Sequence, residues 1–281
     1  MPDVSILIPA RNEARSIGRQ LDALAALSTR HAHEVVVADH GSTDLTADIV
    51  KAYRERIPRL RLVDASAARQ AGGARNCAAA AADGTFFAFC DANDAVDPGW
   101  IDALVAAADG RDVLVRGAVR MPSGGTVRAA TSTGHIPKYL MFLPFADTCS
   151  MAITAHAFRS TGGFDDSMAP SEDVDFSWRA QQRGVPIVDA PAAVVDKSYP
   201  GDTRERAEKC FAWGRLQAAL YRRYRDSGMP GRGLSDLSSD VVAIARVAIS
   251  TERRANPKTV EAAAWAAGRL AGSLLERAWY P

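Results

Sequence analysis

The sequence predicts an α/β fold, a mostly parallel sheet sandwiched by helices, with a helical extension at its C-terminal end. Two observations carry this reading. Up to about residue 90, short apolar runs alternate with segments of helical spacing, which is how crossover helices join parallel strands. Strands covered on both faces are apolar without clean alternation, and Val35-Val36-Val37 and Phe86-Phe87-Ala88-Phe89 have that character.

The elements follow in order. Val4-Ser5-Ile6-Leu7-Ile8 is an apolar run closed by Pro9, and Ile17, Leu21, Leu24 and Leu27 follow at near-helical spacing. The unit repeats, with strands expected over 34–38, 60–63 and 85–90 and helices over 44–56 and 71–82. After about residue 120 the alternation stops. Residues 121–126 read as a turn between strands, and the stretch containing Gly134, Pro137 and Pro144 is irregular, a kind of segment that often grips substrate. A helix is expected from near Ser171 to before Gly184, then short strands over 185–188 and 192–195. From about Thr203 the chain has helical character: a basic helix carrying Arg204, Arg206, Lys209, Arg215, Arg222, Arg223 and Arg225, a breaker at 228–233, and Ala-rich amphipathic segments over 237–249 and 260–279. The chain therefore divides into 1–120, a region 121–202 that completes the same domain, and an extension over 203–281.

Composition excludes several classes. With 34 Lys+Arg against 33 Asp+Glu in 281 residues, the formal charge of +1 gives no global attraction to nucleic acid or anionic lipid. A 47% hydrophobic, 24% charged chain is globular rather than disordered. Cys77, Cys90, Cys149 and Cys210 lie 13, 59 and 61 positions apart, too far for a zinc knuckle or a redox pair, so reduced thiols are expected. The start of the chain lacks the basic opening of a signal peptide, and Arg246 interrupts the best late apolar window. A cytoplasmic protein, soluble or peripheral at a membrane, is the expectation.

In an open α/β sheet, ligands bind beyond the carboxyl ends of the parallel strands. Three such ends carry chemistry: Pro9-Ala10-Arg11-Asn12-Glu13, Asp39-His40-Gly41-Ser42-Thr43-Asp44 and Asp91-Ala92-Asn93-Asp94. None is a Gly-rich phosphate loop, which removes most of the weight from dinucleotide oxidoreductases and P-loop enzymes. Acids one or two residues apart at a strand end can grip a hard divalent cation and present it to a diphosphate, and Asp91, Asn93 and Asp94 suit that role. The plainer alternative is that Asp39 and Asp91 are turn acids and that one of Ser42, Thr43 and Asp44 caps the next helix.

Taken together, residues 4–13, Gly41-Ser42-Thr43-Asp44, Ala74-Arg75-Asn76, Asp91-Ala92-Asn93-Asp94 and Gly162-Gly163-Phe164-Asp165 followed by Glu172-Asp173 resemble the ordered motifs of family 2 glycosyltransferases. The resemblance covers roughly residues 3–200 and implies a Rossmann-like glycosyltransferase A-type fold and an inverting transferase that uses a nucleotide-diphosphate sugar. It implies that Pro9, Ala10, Arg11, Glu13 and Asp39 hold base and ribose, that Arg75, Ala92 and Lys197 lie near the nucleotide or its phosphates, and that Asp91, Asn93 and Asp94 form the metal site for Mn²⁺ or Mg²⁺. It makes Asp173 the general base, with Glu172 beside it. The alternative for both acids is that, after a Ser171 cap, they interact with the dipole of a helix; Asp175 reads as an ordinary helix-face acid, and Arg75 as a surface helix residue.

The departures are as informative. The family often has an aromatic where Arg11 stands, so a guanidinium plane would replace base stacking. The second acid of the metal motif is Asn93, a weaker ligand for a hard cation. Where many relatives place a histidine, this chain reads Val195-Asp196-Lys197-Ser198. A protonated lysine cannot ligate, but it can neutralise a diphosphate, so metal independence stands as an alternative unless Asp94 or Asp196 restores the ligand set. His31, His33 and His156 read as solvated or locally bonded, whereas His40 and His135 are candidates for donor or acceptor contacts. The basic helix reads as a solvated face, or as a surface for an anionic acceptor or membrane; the later helices are expected to pack on the core, on a second copy or on a bilayer. Two other functions remain open: a noncatalytic scaffold that binds nucleotide, favoured by Asn93, and a nucleotidyltransferase, which lacks its expected basic Gly-rich signature here.

Overall fold

The computed structural model describes residues 2–121, 127–129, 142–198, 202–248 and 256–280. The chain forms two compact units, Met1–Gly134 with Pro144–Ser198, and His135–Leu143 with Tyr199–Pro281. The first contains β1 (Val4–Ala10), α1 (Ile17–Ala25), β2 (His33–Asp39), α2 (Thr46–Ala52), β3 (Leu60–Asp64), α3 (Ala71–Ala81), β4 (Phe86–Phe89), β5 (Ala95–Val96), α4 (Trp100–Ala108), β6 (Leu114–Arg120), β7 (Val127–Ala129), β8 (Met151–Thr154), α5 (Ala155–Thr161), α6 (Glu172–Gln182) and β9 (Ile187–Asp196). Its sheet runs β3-β2-β1-β4-β8-β6-β9-β5, with β7 beside β6. The half from β3 to β4 is parallel, as expected for crossover helices; β8 is antiparallel to both β4 and β6.

The apolar strands are explained by burial on both faces. Along β1, Ile6 and Ile8 pack with Ile17 and Leu21 of α1 and Trp100 and Ile101 of α4, while the intervening Leu7 packs with Ala74 and Ala78 of α3. At the border of the parallel half, Phe87 and Phe89 of β4 join Phe158, Phe164 and Phe176 in one aromatic cluster. Burying a ring of this size stabilises by about 1.5–3 kcal/mol, and this cluster fixes α5 and α6 against the sheet.

Four elements escape the sequence reading: the α4 helix, and β5, β8 and α5, which are short, with only 2, 4 and 7 residues. The strands expected over 185–188 and 192–195 are the two ends of β9, which passes through a register shift opposite Gly117. A Cβ at Gly117 would lie 2.0 Å from Ser150 Oγ and 2.7 Å from the Ala193 carbonyl, so only glycine permits this approach. The irregular stretch around Gly134, His135 and Pro137 and the turn over 122–126 lie outside the described residues.

The second unit contains α7 (Thr203–Tyr224), α8 (Leu234–Ala248) and α9 (Pro257–Leu275). Asp202 caps α7 by accepting from Glu205 N at 2.7 Å, and Asn256 caps α9 ahead of Pro257. Its helices cross at glycines: a Cβ on Gly214 would lie 2.1 Å from the Trp265 carbonyl oxygen, and one on Gly268 2.1 Å from that of Phe211. Several basic side chains of α7 meet acids, Arg206 pairing with Glu261 at 2.7 Å, Arg222 with Glu276 at 3.0 Å and the exposed Arg204 with Glu208. Asp240, buried, holds both Arg232 and Arg269. Leu274, Leu275 and Trp279 are exposed. Among the described residues no helix is long and apolar enough to cross a membrane. All four cysteines are free thiols, and three are buried.

Candidate active site

The loops leaving β1 and β2 are stitched to each other. The strands end in register, Ala10 opposite Asp39. Asn12, held at φ +55°, donates its N–H to Ser42 Oγ and accepts from Thr43 N; Glu13 N donates to Thr46 Oγ1 at 2.8 Å, and Ala14 N to Asp44 Oδ2 at 3.1 Å. Asp44 also accepts from Thr46 N at 3.0 Å, so it serves the start of α2 and the neighbouring loop together. Asp39 Oδ1 accepts from Ser42 N at 2.9 Å, the turn role that its spacing allowed.

Between these loops and the end of β4 lies a cleft of about 200 Å³ lined by Pro9, Ala10, Arg11, Glu13, His40, Ala71, Arg75, Asp91, Ala92 and Asn93. The structure thus gathers the residues expected to face the donor, apart from Asp39 and Lys197, which stand outside that lining. His40 is buried, with Nε2 2.6 Å from the Ala68 carbonyl oxygen. Ala71 was not singled out from the sequence, which carries no signal for a methyl group at a helix start. Gln20 was missed as well: buried on α1, its side chain accepts from Val96 N and donates to the Asp91 carbonyl oxygen, both at 3.1 Å, fixing the loop that carries Asp91. Of the other histidines, His31 stands 3.8 Å from Asp102, His33 Nδ1 lies 3.1 Å from the His31 carbonyl oxygen and His156 is exposed.

Arg75 is not a surface residue. It is 5% exposed, with Nη2 2.8 Å from Asp91 Oδ1 and Nη1 2.9 Å from Glu172 Oε1, so one guanidinium joins the end of β4 to the start of α6. Small residues permit the approach. A Cβ at Gly72 would lie 3.1 Å from Glu172 Cγ and 3.3 Å from Phe164 Cβ. Asn76 makes a two-way amide pair with the Phe164 backbone, at 2.8 and 2.9 Å. Asp166 accepts from Arg69 N, Gln70 N and Gly73 N, capping α3. Gly163 turns at φ +66°, and a Cβ there would lie 2.7 Å from Asn76 Oδ1. The Gly162-to-Asp165 segment therefore docks α6 onto α3, which is why its distance to Glu172 and Asp173 matters.

At the start of α6 the Ser171 side chain makes no cap hydrogen bond. Glu172 is buried against Arg75, and Asp173 Oδ1 accepts from Val174 N at 2.8 Å. Burial pushes the Asp173 carboxyl well above the usual carboxylate range, and the charges of Asp147 and Glu172 push the same way. A carboxyl raised in this manner is a better proton acceptor than an ordinary aspartate. Asp175, expected on the helix face, is instead fully buried: it pairs with Arg179 at 2.8 Å, and Arg179 donates to the carbonyl oxygens of Thr161 and Gly163.

The expected metal set does not fit a divalent cation in this arrangement. Lys197 Nζ stands 3.0 Å from both Asp91 Oδ2 and Asp94 Oδ2; Asp91 Oδ1 is taken by Arg75, and Asp94 Oδ1 accepts from Ser198 N at 2.7 Å. Both oxygens of each carboxylate are thus engaged, whereas Mn²⁺ and Mg²⁺ require several oxygen ligands of their own. Asn93 adds a neutral amide at most. Asp196 pairs with Arg120 and does not restore the set. Among the described residues no three His, Cys, Asp or Glu side chains form a metal-holding group. Burial alone would raise the Asp91 carboxyl, but Lys197 and Arg75 outweigh it and hold it at about 2; for Asp94, burial wins over Lys197 and lifts it to about 6.

The family model "Glycosyl transferase family 2" matches residues 5–165. The chain is 25% identical over 272 residues to the pre-mycofactocin glycosyltransferase of Mycobacterium tuberculosis, covering 86% of this chain and 56% of that protein. It is 27% identical over 229 residues to the validoxylamine A glucosyltransferase of Streptomyces hygroscopicus subsp. jinggangensis, covering 66% and 53%. The chain thus spans little more than half the length of these relatives. Among solved structures, the mannosyltransferase PcManGT of Pyrobaculum calidifontis, in complex with GDP-Man and Mn²⁺, superposes with a TM-score of 0.62 at 21% identity, covering 98% of this chain and 75% of that one. Staphylococcus aureus TarS 1-349 in complex with UDP gives 0.58 at 17% identity, covering 99% and 93%. These likenesses carry the fold: a glycosyltransferase A-type sheet.

Proposed function

The chain belongs to glycosyl transferase family 2, and from that premise we propose that it moves a sugar from a nucleotide-diphosphate donor to an acceptor hydroxyl with inversion, using Asp173 as general base. The acceptor oxygen attacks the anomeric carbon opposite the diphosphate. As the new C–O bond forms and the bond to the diphosphate breaks, the acceptor proton passes to Asp173 and the nucleoside diphosphate leaves with the electron pair. Glu172 takes no proton in this scheme; it holds Arg75.

One observation carries the reading: Arg75 spans Asp91 and Glu172, so a single buried guanidinium ties the cleft at the strand ends to the start of α6, where Asp173, the carboxyl proposed as base, directly follows Glu172. Pro9, Ala10, Arg11, Glu13 and Asp39 would hold base and ribose, and Arg75, Ala92 and Lys197 would lie by the phosphates. Residues 1–120 would form the donor half and 121–202 the acceptor half, with 203–281 governing acceptor access or assembly with a second copy or a membrane surface. UDP, GDP and TDP sugars are the donors to test, in keeping with the UDP and GDP-Man bound by the neighbouring structures.

The test is release of nucleoside diphosphate from a panel of UDP, GDP and TDP sugars, compared between wild type and Asp173→Asn. A loss of roughly 10²- to 10⁴-fold is expected for the variant. Undiminished turnover would remove Asp173 as base. Nucleotide binding with no turnover in the wild type would favour a noncatalytic scaffold.

A further inference from the structure

We infer that the Lys197 ammonium takes the seat of the divalent cation, so that the donor diphosphate is bound and neutralised without metal. The inference rests on the donor reading above and gives that site its source of positive charge. Lys197 is locked there by its backbone. Ala95 pairs with Asp196 in the β5–β9 ladder, which sets Lys197 one residue beyond the ladder and Asp94 one residue before it. Lys197 N donates to the Arg120 carbonyl oxygen at 3.0 Å, and Ser198 N to Asp94 Oδ1 at 2.7 Å. The ammonium is therefore clamped on both sides of its own residue, a point charge at a fixed place.

Access favours the lysine over an incoming ion. Asp94 is fully buried behind it, whereas the Lys197 side chain remains 28% exposed and that of Asp91 25%. A cation arriving from solvent would have to expel the ammonium from two ion pairs before reaching Asp94. An ammonium has three donors, and two are spent on Asp91 and Asp94; the third makes no hydrogen bond among the described residues, although the buried Cys149 thiol stands near enough to interact with the ammonium, and it is the group we assign to a phosphate oxygen. Asn93, which lines the cleft, fits the same picture, because a neutral amide is a poor ligand for a hard dication yet a good donor to phosphate. Arg75, lining the cleft as well, supplies the second fixed cation.

The experiment is calorimetric titration of the full chain with UDP, GDP and TDP, in EDTA and in excess Mn²⁺, for wild type, Lys197→Ala and Lys197→Arg, with circular dichroism to confirm folding. Electron paramagnetic resonance of free Mn²⁺ would report direct metal uptake. For the diphosphate that binds, the wild-type Kd should agree within about twofold in the two buffers, with no stoichiometric Mn²⁺ uptake. Lys197→Ala should weaken binding in EDTA by roughly ten- to a hundredfold, the scale of a lost charged hydrogen bond, and Lys197→Arg should retain metal-free binding. A wild-type Kd tightened tenfold or more by Mn²⁺ overturns the inference while leaving the donor reading intact. So does a folded Lys197→Ala that binds as wild type in EDTA. Failure of all three diphosphates to bind wild type in either buffer overturns the donor reading, and the inference with it. The wild-type comparison decides the matter even if Lys197→Ala does not fold.

Discussion

The loops leaving β1 and β2 and the loop leaving β4 border the same cleft but are held by different forces. The first pair is stitched by short side chains accepting from backbone N–H groups, Ser42 from Asn12, Thr46 from Glu13 and Asp44 from Ala14. The β4 loop carries ion pairs instead, with Asp91 between Arg75 and Lys197 and Asp94 behind Lys197. Bonds of the first kind each contribute about 1 kcal/mol, somewhat more where the acceptor is the Asp44 carboxylate, and fail one at a time. Buried charges fail together, because removing one leaves its partners desolvated and unpaired. The comparison teaches that the nucleotide-facing loops tolerate change at single positions, whereas the charged edge does not.

The sharpest way to break this comparison is Arg75→Met. It strips Glu172 of its partner and Asp91 of one of two, and should cost about 3–5 kcal/mol in urea unfolding. A loss under 1 kcal/mol would mean that the charged edge is no more cooperative than the stitched loops. Next in size, Asn76→Ala removes both bonds to the Phe164 backbone and leaves those buried groups unmatched, for about 1–3 kcal/mol by the same measurement. Thr46→Val keeps the shape of a fully buried side chain and removes both the acceptor for Glu13 N and the hydroxyl donor to Asp44; about 1–2 kcal/mol is expected, and a loss equal to that of Arg75→Met would erase the distinction between the two regions.

The smallest effect concerns pH. Burial, Asp147 and Glu172 hold the Asp173 carboxyl above its ordinary range, so it carries its proton to a higher pH than a solvated aspartate. As the proposed base it acts only when ionised, and the acidic limb of the kcat profile should lie above the ordinary aspartate value. Asp147→Asn removes one raising charge, so that limb should move to lower pH; a limb that stays in place would separate Asp147 from Asp173. For stability the sign runs the other way. A carboxyl raised by folding favours the native state below its unfolded value and loses that contribution as pH rises to the folded one, so Asp94 withdraws stability as pH climbs from the ordinary aspartate value to about 6. Asp91, depressed to about 2, adds stability above the ordinary aspartate value and loses it only as pH falls toward 2.

Much of this was written in local patterns. Apolar runs closed by Pro9 or followed by Asp39 and Asp91 marked the parallel strands and the edge where ligands bind, since those signals are contiguous. What escaped depends on contacts between distant segments. The sequence marks Lys197 as a neutraliser, but its seat between Asp91 and Asp94 follows from the β5–β9 ladder, and β5 has only 2 residues. The sequence places Arg75 near phosphates, but its two carboxylate partners sit 16 and 97 positions away, and the close approach of Glu172 to α3 depends on Gly72. Asp175 looked like a surface acid because nothing local reveals that Arg179 must brace the turn from Thr161 to Gly163.

The crossing of α7 and α9 has a consequence for mutation. At Gly214, Gly268 and Gly272 an added methyl carbon would sit 2.1–2.2 Å from a carbonyl oxygen of the opposing helix. Alanine, ordinarily the mildest replacement inside a helix, becomes one of the harshest there, since the main chain itself must retreat. Libraries randomised across the C-terminal helices should therefore show three positions intolerant of any side chain, in a part of the protein to which no chemistry is assigned.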